Sequence, residues 1–216
     1  MTLRSPRSAF ALLLLALLCG AISPGSRPAA ARTVQILAFG DSLTAGFGLP
    51  SDESFPAQLE RRLRAEGIEA RIVNAGVSGD TTAGGLARLD WSLADKPDLV
   101  ILALGANDML RGTDPAVVRA NLDAMIEKIT ASGARLLLLG MRASPNWGEK
   151  YQKEFDRIYP ELARTHRVAL YPFFLEGVAM NPELNQPDGI HPNRRGVAAM
   201  VERIAPRVAE LLGDRS

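Results

Sequence analysis

The sequence predicts an α/β domain, a parallel sheet of about five strands sandwiched between two layers of helices. Stretches of strand character alternate with stretches of helical periodicity along most of the chain. The strand stretches are continuous apolar runs, such as Val100-Ile101-Leu102-Ala103-Leu104, as a sheet buried on both faces requires. Several of these runs end in glycine and polar residues, at the edge where an open α/β sheet opens its ligand crevice.

A leader precedes the domain. Arg4 and Arg7 stand before the apolar run from Phe10 to Leu18, and Pro28-Ala29-Ala30-Ala31 follows, the pattern of a secretory signal peptide cleaved after Ala31. The run is too short to span a bilayer, and Leu18 stands where a lipoprotein anchor needs a small residue before Cys19. Residues 1–31 are therefore expected to be removed, leaving 32–216 as one domain in the periplasm or the medium with no stable membrane anchor. Cys19 is the sole cysteine and would leave with the leader, so the mature chain is expected to hold no disulfide, cysteine nucleophile or Cys-ligated metal.

The first strand is predicted from Val34 to Phe39, ending in Gly40-Asp41-Ser42. Phe55, Leu59 and Leu63 then recur at helical spacing, with Ser54 as cap and Gly67 as stop. A short strand over Arg71 to Asn74 leads through the glycine-rich turn Gly76 to Thr82 into a helix carrying Leu86, Leu89 and Trp91. Asp98 to Leu104 reads as the third strand and ends in Gly105-Ala106-Asn107-Asp108. Asp114-Pro115 opens a helix whose stripe is Val118, Leu122, Met125, Ile126 and Ile129. The fourth strand covers Arg135 to Leu139, a loop runs from Met141 to Gly148, and one helix is predicted over Glu149 to Arg164. The fifth strand lies at Val168 to Tyr171. The last helix, Arg194 to Leu212, buries Val197, Met200, Val201, Ile204 and Val208, with Pro206 expected to kink or shorten it.

At 216 residues, 47% hydrophobic and 23% charged, the chain has material for one cored domain. A net charge of +1 without a dense Lys/Arg cluster speaks against nucleic acid as a partner.

Ser42, on the turn after the first strand, is the candidate nucleophile; a helix cap or turn former is the competing reading of the same residues. Serine chemistry needs a base, and the sequence offers two histidines. His166 ends a helix, where an exposed cation near the last carbonyls is the ordinary role. His191 lies in Pro187-Asp188-Gly189-Ile190-His191-Pro192. There Asp188 can accept the Nδ1 proton and turn Nε2 outward, or else simply cap the loop. The backbone N–H groups of Ser42 and Gly79 and the side-chain amide of Asn107 are the candidate donors to an oxyanion. Gly79 and Asn107 are each ordinary turn residues, but three separate strand-to-helix turns supplying a fitting group point to a site. Met141, Trp147 and Phe173 are the candidate substrate-lining residues, although a phenylalanine such as Phe173 is more often core than cleft. No inserted segment is long enough for a lid, which predicts an open site.

The blocks Gly40-Asp41-Ser42-Leu43, Gly76-Val77-Ser78-Gly79-Asp80-Thr81, Gly105-Ala106-Asn107-Asp108 and Asp188-Gly189-Ile190-His191-Pro192 together resemble the SGNH (GDSL) hydrolases across nearly the whole mature chain. Gly84 to Leu89 and Tyr171-Pro172-Phe173-Phe174 add a similarity to that superfamily's bacterial arylesterases and multifunctional thioesterase/protease/lysophospholipases. The resemblance implies a flavodoxin-like sheet, Ser42 as nucleophile, His191 as base, Asp188 as its orienter, and Ser42, Gly79 and Asn107 as the oxyanion hole. It also implies a cofactor-free, monomeric, secreted hydrolase of small carboxylic esters or thioesters, lysophospholipids among them. Ala106 departs from the glycine common in the third block. A carbohydrate O-acetylesterase and a binding module without turnover are the alternatives.

Overall fold

The computed structural model describes residues 1–2 and 32–213. The expected leader, with Cys19, and residues 214–216 lie outside the described residues. The domain that begins at Arg32 runs β1 (Val34–Gly40), α1 (Ser42–Ala45), α2 (Phe55–Ala65), β2 (Ala70–Gly76), α3 (Thr82–Ser92), β3 (Leu99–Ala103), α4 (Ala106–Leu110) and α5 (Pro115–Ala131). It continues through β4 (Arg135–Leu139), α6 (Glu149–Asp156), α7 (Ile158–His166), β5 (Ala169–Tyr171) and α8 (Arg194–Gly213).

All five strands are parallel, in the order β2-β1-β3-β4-β5. The chain steps one way from β1 to β2 and the opposite way from β2 through to β5. Crossovers between parallel strands are right-handed, so that reversal sends the helices to opposite faces. α2 packs with α8, while α5 packs with α3, α6 and α7. β1 and β3 are thus neighbours whose connections leave in opposite directions, and the crevice opens at their carboxyl ends. Between the layers, Phe39, Leu59, Leu102, Leu138 and Ile204 are completely buried.

Register brings the active edge level: Gly40 pairs with Gly76 on one side and with Ala103 on the other. Both glycines are needed because the chain folds back onto the strand ends. A Cβ on Gly76 would lie 2.2 Å from the Ala45 nitrogen, and one on Gly40 2.6 Å from the Ala103 carbonyl oxygen.

β2 is an edge strand, and side chains occupy its backbone groups. Glu60 accepts the Ile72 N–H at 2.6 Å, Arg64 donates to the Ala70 carbonyl at 3.1 Å, and the two side chains pair with each other at 2.9 Å. Asn74 accepts the Gly76 N–H at 3.0 Å.

Several local expectations change. Glu149 to Arg164 is two helices, broken at Arg157, because Pro160 has no N–H for the Asp156 carbonyl and its ring crowds that oxygen. Pro206 does not shorten α8, which continues to Gly213. Pro206 and Glu202 are exposed, so the carbonyl deprived of its partner faces water while buried Ile204, Ala205 and Val208 hold the helix to the core. Trp91 is 86% exposed, since two residues past the buried Leu89 the helix has turned about 200° away. Ser54 sits at the N-cap of α2, yet its hydroxyl donates back to the Ser51 carbonyl at 2.7 Å. His166 is not left exposed at the helix end: its Nε2 meets Asp123 Oδ1 and its side chain is only 17% exposed.

Candidate active site

β1 ends at Gly40, and Asp41 caps the single-turn helix α1 by accepting the Leu43 N–H at 3.0 Å. Ser42 is the first residue of that turn. His191 Nε2 lies 2.9 Å from Ser42 Oγ, and His191 Nδ1 lies 2.7 Å from Asp188 Oδ2. The second Asp188 oxygen accepts the N–H groups of Ile190 and His191, each at 3.0 Å. Chiefly the His191 N–H, and next the imidazole, hold the Asp188 carboxyl down at about 2. Asp188 is therefore an anion at neutral pH, and its proton-accepting oxygen fixes the imidazole tautomer.

The loop that carries His191 is itself anchored. The Gln186 N–H donates to the His191 carbonyl at 2.7 Å, and the Gln186 amide donates to the carbonyls of Phe47 at 2.7 Å and Pro192 at 3.0 Å. Phe47, in the loop after Ser42, lies against the imidazole with ring centroids 4.5 Å apart.

Gly79 turns the second loop with φ of +81°. Its carbonyl accepts from Arg111 at 2.9 Å, and the next residue's carbonyl, that of Asp80, accepts from Asn107 Nδ2 at 2.9 Å. The same amide nitrogen stands 3.4 Å from Asp41 Oδ2. One amide hydrogen thus ties the third turn to the second. Behind them, Asp108 accepts both the N–H and the hydroxyl of Thr82, at 2.8 and 2.7 Å.

Asp41 is fully buried without a cation of its own. Burial above all, then the nearby Asp80 and Asp108, push its carboxyl up from 3.8 to about 7 against the pull of the Leu43 N–H.

The structure gathers Ser42, Gly79, Asn107, Asp188 and His191 at one sheet edge; Met141, Trp147 and Phe173 are not among the residues that line the cleft beside Ser42. A cleft beside Ser42 is lined by Leu43, Phe47, Leu49, His191, Pro192 and Val197. Met141 is only 3% exposed and belongs to the core, where its length and flexibility suit packing. Trp147 is half-exposed and lies over Gly112 and against Tyr151, whose hydroxyl donates to the Thr113 carbonyl. Phe173 is half-buried beneath the Arg142 guanidinium. Phe47 and Gln186 carry no motif of their own, and the one available signal was an aromatic residue five positions after Ser42. Among the described residues, no group of three or more His, Cys, Asp or Glu is placed to hold a metal ion, and no helix is long and apolar enough to cross a membrane.

A serine, a histidine and an aspartate in hydrogen-bonded series at the switch point of a 2-1-3-4-5 sheet are the equipment of an acyl hydrolase. Residues 38–199 match the GDSL-like Lipase/Acylhydrolase family, and the chain belongs to it as a serine esterase. It is 45% identical to Esterase TesA of Pseudomonas aeruginosa over 90% of this chain and 96% of that protein. It is 42% identical to an Arylesterase of Vibrio mimicus, covering 82% and 90% of the two chains. With Thioesterase 1/protease 1/lysophospholipase L1 of Escherichia coli it shares 38% identity over 88% and 89%. The crystal structure of AlinE4, an SGNH-hydrolase family esterase, superposes with a TM-score of 0.72 at 52% identity, covering 85% of this chain and 99% of that one.

Proposed function

We propose that this esterase works through an acyl-enzyme on Ser42 and, after export, hydrolyses small carboxylic esters and thioesters, aryl esters and lysophospholipids among them. The observation that supports it most is the unbroken series from Asp188 through His191 to Ser42 Oγ, with contacts of 2.7 and 2.9 Å. His191 Nε2 takes the hydroxyl proton as Oγ attacks the carbonyl carbon, and Asp188 stabilises the imidazolium that results. The Ser42 and Gly79 N–H groups and the Asn107 side-chain amide receive the negative charge that develops on the carbonyl oxygen. His191 then returns the proton to the departing alcohol, phenol or thiol. Water then attacks the acyl carbon while giving a proton to the same nitrogen, and that proton passes to Ser42 Oγ as its bond to carbon breaks and the acid leaves. Of the three relatives, two are named as an esterase and an arylesterase and one as a thioesterase and lysophospholipase, which supports the substrate range.

Ser42→Ala should abolish turnover of p-nitrophenyl esters without changing the melting temperature, and a serine-directed phosphonate should add its mass to the Ser42 peptide of the wild type. Turnover that survives the substitution, with the label elsewhere, would show the nucleophile to be another residue. Export rests on the leader, and N-terminal sequencing of the protein recovered from the periplasm or medium should begin at or beside Arg32. A chain still carrying Cys19 would refute it.

A further inference from the structure

We propose that Arg88, on α3, is a positioning residue for the oxyanion hole, a role that rests on the acyl-enzyme reading above. Its guanidinium touches neither Ser42 nor His191, yet it is bonded to the chain on either side of the hole. Nε donates to Asp80 Oδ2 at 2.7 Å, Nη1 to the Ala75 carbonyl at 2.9 Å and Nη2 to the Gly40 carbonyl at 2.9 Å. Its plane lies over the Phe39 ring, with Cζ 3.9 Å from the ring centroid, so the fork is supported from beneath as well as filled at its edges.

Each partner stands next to a piece of the machinery. Gly40 is two residues before Ser42, at the last pairing position of β1. Ala75 is at the end of β2, just before the loop that holds Gly79. Asp80 follows Gly79, and its carbonyl is the acceptor that holds the Asn107 amide at 2.9 Å. The Val77 N–H also donates to the Gly40 carbonyl, at 3.0 Å, and Arg88 adds a side-chain link between the turn that presents Ser42 and the turn that presents Gly79, bearing through Asp80 on where Asn107 points. Three bonds in different in-plane directions require the planar fork, which an ammonium group cannot reproduce. Arg88 also pairs with the carboxylate of the residue next to Gly79: the Asp80 side chain is 10% exposed and lies close enough to Asp41 to oppose its ionisation. Left unpaired, that anion would oppose charge growing on the substrate oxygen as well.

A strand staple with no bearing on chemistry would lower stability and leave the kinetics of the folded fraction alone. A positioning residue should lower kcat and the rate of phosphonate labelling at Ser42 together, because both pass through a charged oxygen in the hole, while KM stays within about twofold. The test compares wild type, Arg88→Lys and Arg88→Gly, each corrected for active folded protein by circular dichroism, with and without guanidinium chloride at tens of millimolar against sodium chloride of equal strength. The expected result is a loss of roughly 10- to 100-fold in kcat and in labelling rate for both variants. Guanidinium, but not sodium chloride, should restore activity of Arg88→Gly. Should Arg88→Gly not fold, Arg88→Lys keeps the charge without the fork and still has to show the loss in kcat. Unchanged kcat and labelling rate in the folded Lys variant, or a loss confined to KM, overturns the role of Arg88. Failure of the wild type to label at Ser42 overturns the acyl-enzyme reading instead.

Discussion

Asp41 follows a glycine and precedes the nucleophile, a position that looks like an ordinary helix cap, and it is one. What the fold adds is complete burial beside Asp80 and Asp108, with its carboxyl raised to about 7. In the unfolded chain the same group ionises near 3.8. Below that value Asp41 is protonated in both states. As pH rises further the unfolded chain loses the proton first, so the folded state loses stability steadily until the buried group also ionises near 7. Asp41→Asn keeps an oxygen to cap Leu43 and removes the titration. Its melting temperature should therefore fall less between pH 5 and pH 8 than that of the wild type, a difference on the order of a few kcal/mol in stability. Thermal unfolding of both proteins at the two pH values checks this, and parallel losses would mean that Asp41 is ionised throughout. Ser42, Asp188 and His191 were legible in the sequence because each sits in a short local motif whose spacing reflects its geometry. Arg88, Gln186 and Phe47 were not, because their partners are brought close only by the sheet: Arg88 reaches Gly40 from 48 positions away and Gln186 reaches Phe47 from 139. The error over His166 has the same origin, since Asp123 lies on a different helix.

Strands read well at the level of elements because runs such as Leu136 to Leu139 are buried on both faces and leave no ambiguity of period. Helices read less well where proline is concerned: Pro160 breaks one and Pro206 does not, and the carbonyl each deprives of a partner belongs to half-buried Asp156 in the first case and to exposed Glu202 in the second. The break has a purpose in the packing. It lets α7 turn Tyr159 inward, fully buried, so that its hydroxyl donates to the Leu104 carbonyl at 3.0 Å just ahead of the third turn. Burial keeps that hydroxyl protonated well above its ordinary 10, so it stays a donor. Gly105 lies under it with φ of +115°, and a Cβ there would stand 2.2 Å from the Tyr159 oxygen. Gly105→Ala should therefore cost at least about 2 kcal/mol, from backbone strain and collision together. Tyr159→Phe alone should cost about 1 kcal/mol for the lost hydrogen bond. The double variant should lose less than the sum, because removing the oxygen removes the collision, and urea unfolding of the three proteins measures the coupling. Strict additivity would show that the strain is confined to the Gly105 backbone.

For the molecule as a whole, the strand order follows from one reversal of direction, and the active edge follows from where that reversal falls. The four blocks of sequence that contribute to the site are scattered from Gly40 to His191, yet each is the first turn after a strand or the approach to the last helix. The alternation of strands and helices was therefore enough to forecast a shared edge. Which residues contact substrate does not follow from that alternation. Apolar character alone cannot separate a cleft wall from the core, and Met141 went to the core while the less conspicuous Leu49 and Pro192 line the cleft.

The side chains laid along β2 also govern what the protein does in company. A parallel sheet with an open margin can continue into a second molecule, strand upon strand. Glu60 and Arg64 answer that invitation from within the same chain, occupying the Ile72 N–H and the Ala70 carbonyl that a foreign strand would need. Replacing both by alanine should leave the esterase fold intact in dilute solution but make it self-associate as concentration rises. Sedimentation velocity over a hundredfold concentration range should show that growth. A double variant that sediments unchanged would mean that the twist of the strand, rather than its occupied hydrogen bonds, ends the sheet.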